Sequence, residues 1–164
     1  MTARAQASKE NQAARGSEMT IAGIAMLADF SGALFWEEQS LLVISDLHLE
    51  KGSSFAARGV LLPPYDTAAT LGRLAAVVTR HDPRRVIALG DSFHDREAHT
   101  RLCARDRDAL IAMQARRDWI WISGNHDPAI PSDFGGVVAT EAAIGPIATS
   151  FATTPPRSGG RAGS

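Results

Sequence analysis

The chain has 164 residues, enough for one domain with a real core and too few for two comfortable ones. Its 45% hydrophobic and 21% charged residues are those of an ordinary soluble domain, and a net charge of −1 demands neither nucleic acid nor an anionic membrane as partner. Cys103 is the single cysteine, which excludes an intramolecular disulfide and points to a reducing, cytoplasmic location.

Residues 1–18 are rich in Ala, Gln, Ser and charge, with no bulky apolar residue between Met1 and Met19. They are expected to be a disordered leader, with Met19 as the natural start. Ile21 to Ala28 is too short to span a membrane, and Gly23 and the preceding Glu18 argue against a secretory signal. Thr20 to Ala28 reads instead as a strand, Ser31-Gly32 as a turn and Ala33 to Trp36 as a second strand, so a hairpin opens the domain. The apolar run Leu41–Ile44 predicts a strand buried on both faces. After Pro63-Pro64, Asp66 is a helix cap, and Leu71, Leu74, Ala75 and Val78 form the apolar stripe of that helix. Asp82-Pro83 ends it. Val86–Leu89 is the next buried strand. A helix is expected over Asp106–Arg116 with Ala109, Leu110 and Met113 inward, and Trp119–Ile122 is a third strand. Around the start of that helix, Arg105 to Asp108 reads as a solvated face and Cys103 as a half-buried structural thiol. The alternation of strands and helices predicts an α/β sheet. The last residues, 147–164, are Gly- and Pro-rich, lack any acidic group and are expected to be a disordered tail, with the composition of an out-of-frame GC-rich reading. The domain is therefore placed at 19–146.

Three polar motifs follow the three buried strands: Asp46-Leu47-His48, Gly90-Asp91 and Gly124-Asn125-His126-Asp127. In an open α/β sheet, ligands bind beyond the carboxyl ends of the strands, so the motifs converge on one edge. Asp46 and His48 lie two apart on an emerging strand and should point to the same side. Asp91 offers a carboxylate that can bridge two cations, and Asn125 a neutral oxygen. This mix of carboxylate, imidazole and amide suits Mn, Fe or Zn. Gly90 and Gly124 allow the sharp turns such a centre needs. Each motif alone is a common turn or capping pattern; their order and placement give the reading its weight.

The motifs resemble those of calcineurin-like metallophosphoesterases, over about residues 20–145. The resemblance implies an α-β-β-α sandwich, with Asp46, His48, Asp91 and Asn125 as metal ligands, Asp91 as the bridge and His126 as the catalytic histidine. It further implies two divalent cations, Mn first with Fe or Zn as alternatives, and in-line attack of an activated water on phosphorus. His94, three residues after Asp91, resembles the partner of the catalytic histidine in the repair-nuclease branch. The run Asp46-Leu47-His48-Leu49-Glu50-Lys51-Gly52-Ser53-Ser54-Phe55, with Arg58-Gly59 and Leu62-Pro63-Pro64-Tyr65-Asp66-Thr67, resembles bacterial DNA-ligase-associated endonucleases. That implies a phosphodiester substrate such as DNA, a ligase and helicase repair system as partner and no membrane. Lys51 and Arg58 are candidate phosphate contacts, with a solvated first helical turn as the alternative.

The sequence also departs from the family pattern. That pattern adds a lone His and a Gly-His-X-His segment after Gly-Asn-His-Asp, yet none of the five histidines, His48, His81, His94, His99 and His126, follows His126. The domain is accordingly expected to be incomplete at its C-terminus, with weak metal affinity, poor stability and little turnover. Two alternatives stay open: a non-catalytic remnant that binds one cation or a partner, and a phosphatase of small phosphomonoesters.

Overall fold

The computed structural model describes residues 15–60, 66–123 and 130–142. Residues 1–14 of the expected leader 1–18 and the whole of the expected tail 147–164 lie outside them. The first strand, β1 (Gly16–Ile21), begins three residues before Met19, so the boundary expected at residue 18 falls inside a strand. The single strand expected over Thr20–Ala28 is two: β1 and β2 (Ile24–Asp29) pair antiparallel from Gly16↔Asp29 to Ile21↔Ile24. Between them Ala22 (φ 50°) and Gly23 (φ 82°) both adopt left-handed backbone, as a two-residue primed turn requires. The turn was hidden because Ala-Gly carries no Asn or Asp to mark it.

The sheet then continues in chain order. β3 (Leu34–Trp36) and β4 (Leu41–Ile44) are antiparallel neighbours, and β5 (Arg85–Leu89), β6 (Asp118–Ile122) and β7 (Val137–Ala139) add in parallel. The result is one seven-stranded mixed sheet carrying helices, the α/β architecture the sequence predicts. All four residues of β4 are buried, which explains its unbroken apolar run.

The alternation of side chains divides the core. On one face Leu42, Ile44, Val86, Ala88, Trp119 and Trp121 pack with the helices. On the other, Leu41, Val43, Ile87 and Ile122 pack with Ile24, Met26 and Trp36. Full burial of one such side chain is worth about 1.5–3 kcal/mol, so the three central parallel strands dominate the stability of the frame.

α1 (Lys51–Ala57) follows β4, and α2 (Asp66–His81) buries Leu71, Leu74, Val77 and Val78, with Ala75 half-buried. Asp66 Oδ2 accepts the Gly52 N–H at 2.7 Å, tying the start of α2 to the first turn of α1. At the other end of α2, Asp29 is buried and accepts from Arg80 Nη1 at 2.8 and 3.0 Å and from the Ser31 N–H at 2.8 Å, with His81 Nε2 2.8 Å away. Phe35 stacks on His81 at 4.4 Å between ring centroids.

α3 (Ala98–Arg101) is one turn, and α4 (Ala104–Gln114) starts before its expected limit. Leu110 is buried and Met113 half-buried as expected, but Ala109 is exposed and Gln114 takes the inward place. The Gln114 Nε2 donates to the Phe134 carbonyl at 2.7 Å, holding the short 3₁₀ turn Ser132–Phe134. Such a contact is invisible to an apolar-periodicity reading. Cys103 is exposed, correcting the half-buried thiol, because it stands at the N-cap of α4 outside the packed stripe. The Arg105–Asp108 face is only partly solvated: Arg107 pairs with Asp133 and lies over the Phe134 ring.

Candidate metal centre

Asp46 and His48 leave β4 on a loop, and Asp91 leaves the adjacent parallel strand β5. They are therefore not on an extended strand end, and the period-2 argument for their common side does not hold. Left-handed backbone brings them together instead: φ is 53° at Asp46, 44° at His48, 47° at Asp91 and 76° at Gly90. Non-glycine residues rarely sit there, and such strain clusters at functional sites. Backbone bonds between the two loops hold it. The His48 N–H donates to the Asp91 carbonyl at 3.0 Å, Leu49 to Ser92 at 2.9 Å and His94 to Leu49 at 2.9 Å. A parallel bridge between Leu49 and Phe93 continues the β4–β5 ladder past both strands.

The outcome is a compact donor set. One ligand atom each from Asp46, His48 and Asp91 lies within 4.8 Å of the others, and His48 Nε2 is 3.8 Å from Asp46 Oδ1. Two carboxylates and an imidazole, partly open to solvent, fit a divalent cation of the Mn, Fe or Zn kind. The Ser45 hydroxyl donates to Asp46 Oδ2 at 2.7 Å and orients that carboxylate.

Of the other predicted site residues, His94 joins the cluster. Its ring lies edge-on to His48 at 5.6 Å and stacks on Phe55 of α1 at 5.8 Å. Burial pushes the His94 imidazole below its ordinary pKa. Positive charge on His48, Lys51 and Arg58 pushes the same way, and Asp95 opposes it. Lys51 and Arg58 are both exposed, at the two ends of α1. Asn125 and His126 lie outside the described residues, as does Gly124.

Sequence reasoning missed the supports. Glu50 is buried in left-handed backbone (φ 64°), and its N–H donates to Thr67 Oγ1 at 2.9 Å. The Thr67 hydroxyl in turn donates to Glu50 Oε1 at 3.0 Å. This pair and the Asp66–Gly52 bond fix the turn that leads from His48 into α1. Glu50 and Asp66-Thr67 stand inside the long matching run, which was the available signal. On the far side, Asp95 is held down to about 2: burial alone would raise it, but bonds from Arg101 and Ser54 and the Glu97 N–H outweigh that.

Residues 40–154 match the calcineurin-like phosphoesterase family, a match that runs past the boundary expected at 146. No curated protein matches the chain. The crystal structure of the Pseudomonas putida nuclease MPE is similar with a TM-score of 0.57 at 26% sequence identity. The similarity covers 76% of this chain and 60% of that one, so the chain spans about three-fifths of the nuclease's length. No described helix is long and apolar enough to cross a membrane. With 40–154 matched and the Asp46–His48–Asp91 cluster at the strand ends, the chain belongs to the calcineurin-like phosphoesterase family, whose hydrolases use divalent metals.

Proposed function

We propose that the chain is a metal-dependent phosphodiesterase acting on DNA, of the ligase-associated repair-endonuclease type, working in the cytoplasm with a ligase and helicase system. The observation that carries this reading is the convergence of Asp46, His48 and Asp91 within 4.8 Å, at the carboxyl ends of two adjacent parallel strands. These three residues would hold the cations, with Asn125 adding an amide oxygen and Asp91 shared between two ions, Mn²⁺ first. When bound, divalent cations supply an activated water as nucleophile and offset the charge on the phosphoryl oxygens. His94 sits beside His48, its ring edge-on at 5.6 Å, and burial lowers its pKa, which favours the neutral ring with one N–H to offer the phosphoryl group. His126 is assigned the proton transfer to the leaving oxygen. The nuclease likeness and the run from Asp46 to Phe55 support DNA over a small monoester.

The test assays the whole chain with Mn²⁺ on bis-p-nitrophenyl phosphate and on p-nitrophenyl phosphate, beside Asp91→Ala. Diester turnover that vanishes in the variant is the expected result. Turnover of the monoester alone would move the assignment to a phosphatase, and Mn²⁺ binding without any turnover would leave a cation-binding domain.

A further inference from the structure

A second site adjoins the cluster. A cleft of about 320 Å³ opens between α1 and the loop before α3, lined by Ser54, Arg58, Asp95, Arg96, Glu97 and Arg101. It is reached from the metal ligands through two successive ring contacts, His48 to His94 and His94 to Phe55, and Arg58 follows Phe55 one helical turn on.

Its three guanidinium groups are not equivalent. Arg101 is committed: its Nη2 donates to Asp95 Oδ2 at 2.6 Å and its Nε to Ser53 Oγ at 2.9 Å. That pair clasps α1 to the loop and neutralises Asp95. Arg58 and Arg96 are exposed and, among the described residues, have no ion-pair partner. Glu97 is the one lining carboxylate left to oppose them, against two unpaired guanidinium groups. Two free planar forks in one concavity present the donor geometry that phosphate oxygens accept.

We infer that this cleft holds a second phosphate of a DNA strand whose scissile phosphate lies at the Asp46–His48–Asp91 cluster, through Arg58 and Arg96. The inference rests on the phosphodiesterase reading and deepens it by adding a subsite for a neighbouring phosphate of the same strand. Phosphates recur at every nucleotide of a strand, so a strand that crosses the cluster and runs past Phe55 presents a neighbouring phosphate to the cleft. A substrate with one phosphate cannot fill both places. This also gives Arg58 a use beyond a solvated helix end.

The experiment reads binding of a fluorescein-labelled single-stranded DNA oligonucleotide to the whole chain by anisotropy, in EDTA, across ~50–200 mM salt. Each phosphate contact contributes about 0.7 to the slope of log affinity against log salt, so Arg58→Ala/Arg96→Ala should flatten it by about 1.4. Across that salt range this is about a sevenfold smaller loss of affinity. Arg58→Lys/Arg96→Lys should restore most of the slope, and Arg105→Ala, at an exposed position of α4, should leave it unchanged. If the double alanine variant loses its fold by circular dichroism, Arg96→Ala alone is read, with half the shift expected. An unaltered slope, or no binding by the unmodified chain at the lowest salt, overturns the cleft. Because binding is read without turnover, diester hydrolysis with an unaltered slope refutes only the cleft. A flattened slope without hydrolysis refutes only the phosphodiesterase reading.

Discussion

Replacing Asp29 tests what fixes α2 against the sheet. Its side chain has no exposed surface and accepts from Arg80, His81 and the Ser31 N–H, all at 2.8–3.0 Å. Asp29→Ala removes the acceptor and leaves His81, itself 3% exposed, and a backbone N–H without it. Breaking a buried charged pair by deleting one partner costs about 3–5 kcal/mol. Arg80 is 36% exposed and regains water, so the low end applies, about 3 kcal/mol. Urea unfolding should show the midpoint falling with an unchanged slope. A loss under about 1 kcal/mol would refute the latch, since that is what one ordinary hydrogen bond contributes. The pH dependence checks the sign. Burial alone would raise the Asp29 carboxyl, but its bonds to Ser31, His81 and Arg80 hold it well below the usual carboxylate range. A depressed folded pKa contributes stability that is fully present above the unfolded value, about 3.9, and lost as pH falls through the folded one. The difference between the unmodified chain and Asp29→Ala should therefore be flat from near neutral pH down to about pH 5 and shrink only in stronger acid.

Asp91→Ala or His48→Ala should weaken Mn²⁺ binding at least tenfold by calorimetry, since even outer partners of ligands are worth about 10–100-fold; a change within twofold would remove this cluster as the metal site. Gly136 (φ 74°) would place a Cβ 2.8 Å from the Trp119 carbonyl and 2.9 Å from Trp121 Nε1, whereas Gly32 (φ 91°) has open space. Gly32→Ala should cost about 1–2 kcal/mol for left-handed backbone alone, and Gly136→Ala clearly more, with the tryptophan near-ultraviolet signal altered; equal costs would sink the packing argument. Ala22→Asn should stabilise the first hairpin by about 0.5 kcal/mol, read as a raised Tm, because Asn tolerates the φ of 50° better than Ala.

How far the sequence speaks depends on what each element leaves in it. β4, β5 and β6 are legible because central parallel strands are buried on both faces and need unbroken apolar runs, as Leu41–Ile44 shows. β7 is three residues with Val137 and Val138 exposed, and its place depends on Gly136 passing close over two tryptophans. Nothing in Val-Val-Ala announces that contact. Gln114 is buried for the sake of one carbonyl of a turn twenty residues later, which periodicity cannot encode. Asp46, His48 and Asp91 are legible as residue types at strand ends. How they meet is not, because that depends on left-handed backbone held by the partner loop.

That backbone origin of the site has a consequence at residues that offer no ligand atom. His48 and Asp91 are tied to each other by main-chain bonds, and the next rung is the Leu49–Phe93 bridge, with both side chains buried. Phe93 in turn meets Phe134 edge-on at 5.5 Å. If side-chain bonds set the ligand geometry, altering Phe93 would matter only to stability. If the ladder sets it, a smaller ring substitute lets the two loops drift, and the left-handed residues relax toward ordinary backbone, where strain of about 1–3 kcal/mol each is released. Phe93→Leu keeps the site apolar and should leave a folded chain by circular dichroism. Its Mn²⁺ affinity should nevertheless fall several-fold, although residue 93 supplies no donor. Unaltered affinity in the folded variant would show that the ligands hold their positions without the ladder, and that the bond from Ser45 to Asp46 is the orienting contact instead.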